Sequence, residues 1–244
     1  MSNNPQERSV DDIVNSILEN VPEIGTNRVR LPSLGQIYGL DSEYVTIRGM
    51  TFDDEKALLA VKDKAQAIDL LISRCVEENI NPRKLIAQDK IFIVINIRSL
   101  SVGSNYDVSI TCGNCSEVSK VSLDVLDVFK CNYPEAPVSQ NVEIELPVSK
   151  KRVVVRRASS AELENPQKIY DNLWSFIESI EGIINGQVRL EVVKKLPLKD
   201  IHAIIRALNC DDIGLDTAFI FQCFECGHEE VTDLSLNQDF FMMR

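Results

Sequence analysis

Hydrophobic residues in the first hundred positions recur mostly at helical spacing. The pattern predicts a short amphipathic helix over 10–21 and longer helices over 52–61 and 64–78. A short strand is expected between the first two of these helices, over 44–48. Cys75 lies within the apolar stripe of the third helix, which indicates a core residue rather than a ligand. The N-terminal part is therefore predicted to be mainly helical.

The apolar segment from Asp89 to Val102 fits two secondary structures. Its run of β-branched residues favours a strand, whereas Asp89 at its start could cap a buried helix. Periodicity alone does not decide between the two, so both alternatives remain open on the residues themselves.

From Asn105 onwards apolar and polar residues alternate, which is the pattern of half-buried strands. Strands are predicted over 105–112, 120–125, 142–146, 152–156, 218–222 and 230–236. A capping box at Ser159 and Glu162 starts a helix that Pro166 reinitiates and whose apolar face extends to Ile180. A further helix is expected over 199–208, so the strands are interrupted by a helical insertion.

The chain contains two C-x-x-C motifs, and each lies between two predicted strands. Such a turn aims two thiolates at one point, and Gly113, Asn114 and Gly227 are residues that can adopt the positive φ it often requires. Four thiolates form the closed tetrahedral set of a structural Zn²⁺ site, with no open position for catalysis. The predicted zinc ligands are Cys112, Cys115, Cys223 and Cys226.

The two cysteine pairs are far apart, with 107 residues between Cys115 and Cys223. A metal bound by both pairs would clasp distant parts of the chain. A redox C-x-x-C usually begins a helix, and neither pair does, so redox chemistry is disfavoured. His228 could replace one cysteine as a ligand but is expected to face solvent. Cys131 and Cys210 have no partner at this spacing.

Composition narrows the classes of function. With 26 basic and 37 acidic side chains the formal charge is −11, which disfavours non-specific nucleic-acid binding. No apolar run approaches the roughly 20 residues that span a bilayer, and the N-terminus lacks a secretory pattern. The protein is therefore expected in a reducing cytoplasm, without membrane contact. Nucleotide-binding and nucleophile-elbow motifs are missing, which argues against an enzyme.

Several segments, in this order and spacing, resemble the baseplate hub protein family of contractile-tailed, T-even-like bacteriophages. They are Leu31-Pro32-Ser33 with Gly35 and Tyr38, Met50–Glu55, Asp89 with Ile97-Arg98, Gly103–Tyr106, Leu196–Asp200, both C-x-x-C motifs, and Asp239-Phe240-Phe241. The resemblance implies a helix over 89–100 and a baseplate hub subunit or hub assembly factor. One departure is Phe224, which stands where proline is common in the family.

The combined interpretation is an α+β fold with a zinc-ribbon-like β region. The expected domains are an N-terminal tail and short helix over 1–27, a mainly helical region over 28–104, and a zinc-clasped β region over 105–244. The helical insertion occupies about 160–210 of the third.

The expected function is non-enzymatic baseplate assembly, through contacts with other baseplate or hub proteins or through self-association. It would take place in the host cytoplasm, with the chain either staying in the virion tail or leaving as a chaperone. The alternatives are a zinc-ribbon adaptor in transcription or RNA handling, and a dithiol redox protein. Two segments remain open between internal packing and docking: Leu31–Tyr38 and Phe240–Met243.

Overall fold

The computed structural model describes residues 9–19, 24–39, 43–135, 138–211, 213–215 and 218–233. Within these ranges the chain is a mixed α+β protein, as predicted. The α-helices are α1 (Val10–Leu18), α2 (Phe52–Leu59), α3 (Lys64–Cys75), α4 (Ala87–Val102), α5 (Val125–Val128), α6 (Ser160–Leu163), α7 (Pro166–Asp171), α8 (Gly186–Val193) and α9 (Leu198–Leu208). Short 3₁₀ helices cover Gln36–Tyr38, Pro82–Lys84 and Leu173–Phe176. The Phe240–Met243 segment lies outside the described residues.

The strands form small, separate antiparallel sheets. They are β1 (Thr26–Arg30), β2 (Tyr44–Arg48), β3 (Asn105–Thr111), β4 (Val118–Asp124), β5 (Cys131–Asn132), β6 (Asn141–Glu145), β7 (Arg152–Arg156), β8 (Ile177–Ile180), β9 (Gly214–Leu215), β10 (Ala218–Gln222) and β11 (Glu229–Asp233). The pairs are β1–β2, β3–β4, β5–β9 and β10–β11, and β7 lies between β6 and β8 in a three-stranded sheet.

One hydrophobic core joins the β1–β2 hairpin to helices α3 and α4. Val45 of β2, Ile72 and Cys75 of α3, and Ile93 of α4 all belong to this buried cluster. The prediction that Cys75 is a core residue is therefore confirmed. Strand β1 was not predicted, because its sequence has little alternation of its own; pairing with β2, including Val29 opposite Val45, defines it.

The ambiguous segment after Asp89 is helix α4, as the family resemblance implies. The N-cap is Ile86, which has no side-chain capping bond, so the expectation that Asp89 caps this helix is wrong. Asp89 instead lies inside the first turn, is fully buried, and accepts hydrogen bonds from Ser33 and Tyr38. A long-range polar contact thus takes the place of the expected local cap.

The end of α4 sets the direction of strand β3. Gly103 closes the helix at a φ of +93°, a conformation that a side chain would strain. The Arg98 guanidinium donates to the carbonyl oxygens of Gly103 and Asn105, the latter at 2.8 Å, and lies over the Tyr106 ring at 5.1 Å. These contacts fix the turn between α4 and the strand that leads to the first cysteine pair.

A second core lies between the β6–β7–β8 sheet and helices α7 and α9. Its fully buried members include Val153 and Val155 of β7 and Ile204 and Leu208 of α9. The predicted strand pair and the predicted last helix are confirmed, as is the capping box of Ser159 and Glu162.

The predicted helix running to Ile180 is wrong beyond residue 171. Helix α7 ends at Asp171, and Ile177–Ile180 forms strand β8, which pairs with β7. Ile177 and Ile180 are buried in the same core that the helix would have used, so burial alone did not distinguish the two structures. Helix α8 was also missed, because it buries no residue and has no clear apolar face.

Asp54 ties β2, α2 and α3 together through a charged hydrogen-bond cluster. It is the third residue of α2, and its carboxylate accepts from the Thr51 backbone N–H at 2.8 Å. The same carboxylate accepts from Arg48 Nη1 at 2.7 Å and Arg74 Nε at 2.6 Å. Burial acts to raise the pKa of Asp54, but the hydrogen bonds from Arg48, Thr51 and Arg74 hold it far below its usual range.

This cluster predicts an acid-dependent loss of stability. A lowered folded-state pKa means that Asp54 contributes stability above its unfolded pKa of about 3.9, and that the contribution is lost as pH falls below it. Asp54→Asn is expected to lower the unfolding free energy at pH 7 by roughly 1–3 kcal/mol, since both arginines are partly exposed. Urea unfolding from pH 3 to 7 should show the gap to wild type narrowing in acid. The matched control is Asp53→Asn, an exposed neighbour in the same turn; a gap constant with pH would contradict the assignment.

Candidate metal centre

Two equivalent turns carry the four predicted ligands. Each is a six-residue loop, Cys112–Glu117 between β3 and β4 and Cys223–His228 between β10 and β11. In both, the first cysteine donates its N–H to the carbonyl of the last loop residue at 2.9 Å. In both, the residue after the second cysteine donates its N–H to the carbonyl oxygen of the first cysteine. The distance is 3.0 Å from Ser116 to Cys112 and 2.9 Å from Gly227 to Cys223. The repeated strand–C-x-x-C–strand pattern of the sequence is therefore a repeated backbone structure.

The residue that needs positive φ follows the second cysteine in each turn. It is Ser116, at +61°, in the first turn and Gly227, at +70°, in the second. The expectation for Gly227 is confirmed, whereas those for Gly113 and Asn114 are wrong. Gly113 instead lies beside Glu230: its N–H donates to the Glu230 carboxylate at 3.4 Å, and a Cβ there would meet only the end of that side chain, at 2.8 Å from Oε2.

The four predicted sulfurs converge on one point between the two turns. All four Sγ atoms lie within 4.8 Å of one another, and no other such group of His, Cys, Asp or Glu occurs among the described residues. The distances from Cys112 Sγ to Cys226 Sγ and from Cys115 Sγ to Cys223 Sγ are both 3.7 Å. Sulfurs placed tetrahedrally at about 2.3 Å around a zinc ion lie about 3.8 Å apart. The donor set therefore fits one tetrahedral metal ion.

Neighbouring groups hold the sulfurs in place. The backbone N–H of Asn114 donates to Cys112 Sγ at 3.4 Å, and its side-chain amide donates to Cys226 Sγ at 3.7 Å, across the two turns. A small core of Phe221, Cys112 and Cys223 packs the two hairpins together behind the exposed pair of cysteines. Asn114 and Glu230 were not predicted to support the site, since their contacts cross from one turn to the other.

The two exposed thiols, of Cys115 and Cys226, have pKa values shifted in opposite directions. The backbone N–H of His228 and the amide of Asn114 lower the pKa of Cys226 to about 6. The backbone N–H of Glu117 acts to lower the pKa of Cys115, yet hydrogen bonding with the other three sulfurs and desolvation raise it to about 12. A thiolate at one sulfur thus makes a thiolate at another unfavourable, and a bound divalent cation would remove that conflict.

The arrangement does not match that of a redox C-x-x-C. The short Sγ–Sγ distances join cysteines of different turns, and each turn continues into a strand rather than opening a helix. His228 is exposed and contributes its backbone carbonyl, not its ring, to the turn. Cys131 is half-buried in β5, and Cys210 lies in a separate buried cluster with Ile86 and Ile213.

A helix that crosses a bilayer must be both long and predominantly apolar. Among the helices of the described residues, none has this combination.

Comparison with known proteins assigns the family. A family model described as T4 bacteriophage base plate protein matches residues 21–242. The matched range contains both cysteine turns and begins after helix α1. No curated protein and no solved structure was found that matches the chain. Because the match covers most of the chain, this protein belongs to the T4 bacteriophage base plate protein family.

Proposed function

We propose that this protein is a non-enzymatic structural or assembly component of the phage baseplate hub, stabilised by one zinc ion at Cys112, Cys115, Cys223 and Cys226. The observation that carries the proposal is the family match over 21–242, within which the four sulfurs converge. The match supports a structural role at the virion tail, in contact with other baseplate proteins. Our proposal extends that role in three respects: a position in the hub, assembly in the host cytoplasm, and self-association.

Zinc suits the site because the donor set is closed and all sulfur. Four thiolates fill a tetrahedral shell and leave no position for substrate, so the metal supplies folding energy rather than catalysis. The ion would join the β3–β4 hairpin to the β10–β11 hairpin in a zinc-ribbon-like unit, across the 107 residues between Cys115 and Cys223.

This clasp gives a physical meaning to the proposed domains. The tail and first helix occupy 1–27, and the mainly helical region occupies 28–104. The zinc-clasped β region spans 105–244, and its insertion over about 160–210 contains helices α6 to α9 together with strand β8. With both ends held at one metal, the inserted core and its sheet form part of a closed loop rather than a free extension.

Metal content is the first test. Native mass spectrometry of protein purified without chelator is expected to show one zinc ion per chain. Chelation should then increase hydrogen exchange in β3–β4 and β10–β11, while the core of α3 and α4 stays protected. Metal-free protein with the same exchange pattern would overturn the zinc assignment, whatever its role in the baseplate.

The baseplate role is tested separately, by complementation. In cells infected with a phage that lacks this protein, the wild-type chain is expected to restore complete tails, visible by electron microscopy. Restoration by a zinc-free variant would separate assembly from metal binding. Tails that are complete without the chain would reject the assembly role.

The alternative of a zinc-ribbon adaptor for nucleic acid is not favoured. The net charge of −11 opposes a phosphate backbone, and the family match supports the baseplate instead. Affinity for RNA or DNA that falls steeply with salt would favour the alternative.

A further inference from the structure

A groove beside helix α9 carries basic side chains and, among the described residues, no acidic one. It is open to solvent, measures about 520 Å³, and lies between α9, α7 and the loop that follows β6. Its lining, here called the α9 groove, consists of Pro147, Tyr170, Lys199, His202, Ile205 and Arg206. Because the whole chain has a net charge of −11, this basic lining contrasts with the average charge of the protein.

The sequence of α9 places its basic residues on one face. Lys199, His202 and Arg206 follow one another at intervals of three and four positions, so they lie within an arc of about 60°. Ile204 and Leu208, which are fully buried in the second core, lie on the opposite side of the helix. The packing of α9 therefore fixes the direction of its basic face, toward solvent.

The basic side chains of the groove have no ionic partner in the protein. Within the described part of the chain, Lys199, His202 and Arg206 form no ion pair. Other lysines of this region do, since Lys194 pairs with Glu191 at 2.9 Å and Lys150 with Glu145 at 3.8 Å. The groove therefore presents a basic surface that an external anion can neutralise.

The walls of the α9 groove are held in place by buried contacts. Asp200, which is buried in α9, accepts from the backbone N–H groups of Val148 at 2.8 Å and Ser149 at 3.0 Å. These bonds fix the loop after β6 against the helix. On the other side, Tyr170 is 54% exposed and directly follows Ile169, which is buried in the second core. A groove already formed by rigid elements loses little conformational entropy when it binds a ligand.

The spacing of the basic groups indicates a ligand with several carboxylates. Lys199 and Arg206 are seven positions apart, about 10 Å along the helix axis. One phosphate ion or one carboxylate is too small to contact both residues at this distance. In a polyproline II segment every third residue lies on the same side, about 9 Å apart, so two acidic side chains fit the spacing. A long nucleic acid is opposed by the net charge of −11.

We propose that the α9 groove binds an acidic segment of a partner protein. Carboxylates of that segment pair with Lys199 and Arg206, and its aliphatic side chains cover Tyr170 and the half-buried Ile205. His202 lies between the two cationic residues along the helix and adds an imidazole N–H donor. The inference rests on the proposed baseplate role for the origin of the partner and adds the chemistry of the contact. It is independent of zinc, because the groove lies outside the cysteine turns.

Fluorescence anisotropy with the zinc-loaded full chain tests this binding. The probe is a labelled peptide of four Glu-Leu-Pro repeats, which is expected to bind wild type saturably. Lys199→Gln combined with Arg206→Gln should weaken binding at least about tenfold, because two charge-assisted contacts are lost. The matched control is Lys62→Gln with Lys64→Gln, which removes the same charge at exposed positions outside the groove and should leave affinity unchanged. Zinc content and melting temperature should match wild type in both variants.

A charge exchange shows whether the peptide contacts the groove directly. Lys199→Glu combined with Arg206→Glu should lose the acidic peptide and bind a peptide of four Lys-Leu-Pro repeats more tightly than wild type does. A single-stranded oligonucleotide of twelve thymidines and inorganic phosphate serve as competitors, and neither should displace the acidic peptide at equal ionic strength.

Three results would overturn the proposed groove: no binding of the acidic peptide, binding that the glutamine variants at 199 and 206 leave unchanged, or displacement by either competitor. Displacement by the oligonucleotide would assign the surface to nucleic acid, and displacement by phosphate would assign it to small anions. None of these results bears on the baseplate role, because complementation measures that role separately.

Discussion

Replacing Cys226 with serine is expected to abolish zinc binding and to lower the free energy of unfolding of the β region by several kcal/mol. The size of the effect separates a metal site from an ordinary surface thiol. Cys226 is exposed, so the substitution removes little packing, and an exposed change without other consequences stays within about 0.5 kcal/mol. A larger loss must therefore come from the metal.

The expected loss follows from how a structural metal contributes to folding. The unfolded chain does not hold four cysteines together over so long a separation, so the binding energy of the ion is energy of the folded state. Zinc-finger peptides gain about 10–16 kcal/mol from zinc at pH 7, and three remaining ligands would keep only part of such a gain. Cys112→Ser should give at least the same loss, since Cys112 is also buried in the small core between the hairpins.

The prediction is tested by measuring zinc content, thermal unfolding and hydrogen exchange of the Cys226→Ser protein. Cys131→Ser is the matched control, because Cys131 is a half-buried cysteine outside the cluster and its replacement should leave the zinc in place. Cys226→Ser protein that keeps both its zinc and its wild-type melting temperature would exclude the proposed clasp.

Asp89→Ala is expected to lower the free energy of unfolding by about 1–3 kcal/mol, through loss of a buried acceptor. Asp89 is fully buried at the start of α4, and it accepts from the Ser33 backbone N–H at 2.9 Å and from Tyr38 Oη–H at 2.6 Å. The Ser33 hydroxyl donates to the same carboxylate. Alanine would leave all three donors without this acceptor in a region closed to water.

The Asp89 carboxylate also fixes the conformation of the chain between Ser33 and Tyr38. Leu34 and Gly35 both have positive φ, at 60° and 72°, so the chain turns sharply between Ser33 and Tyr38. The Tyr38 hydroxyl accepts from the Ile86 backbone N–H at 2.9 Å while it donates to Asp89. Of the two alternatives left open for Leu31–Tyr38, these contacts and the burial of Leu31 favour internal loop closure.

Chemical unfolding of Asp89→Ala, Tyr38→Phe and the double variant would measure the coupling. The double variant should lose less than the sum of the single losses, because the two side chains share one hydrogen bond. Asp107→Ala, at an exposed strand position, should change stability by no more than about 0.5 kcal/mol. Additive losses from Tyr38 and Asp89 would contradict the network.

The stability loss caused by Asp89→Ala should depend on pH in the opposite direction to the loss caused by Asp54→Asn. Burial raises the pKa of Asp89, although the hydrogen bonds from Ser33 and Tyr38 act to lower it. As pH falls, the folded state then takes up the proton before the unfolded state does, so wild type gains stability from this group in acid. The loss caused by Asp89→Ala should therefore grow on acidification, whereas the loss caused by Asp54→Asn should shrink.

Local features of the sequence determined much of this protein. Alternating residues on each side of both C-x-x-C motifs fix the two hairpins, because period and turn length are encoded within a few residues. Capping residues such as Thr51 and Ser159 likewise mark where helices begin, since their hydrogen bonds join residues three apart. The four convergent cysteines could therefore be named from the sequence without knowledge of the fold.

Contacts between distant residues were decided only by the tertiary structure. Ile177–Ile180 is a strand because β7 offers its free edge, although the same apolar residues would suit a helix. Asp89 is a buried acceptor rather than a cap because Ser33 and Tyr38, more than fifty residues earlier, lie against it. The pairing of Cys112 with Cys226 likewise depends on how the two hairpins face each other. A local pattern specifies backbone period and turn type, whereas burial and hydrogen bonding across the chain select the partner.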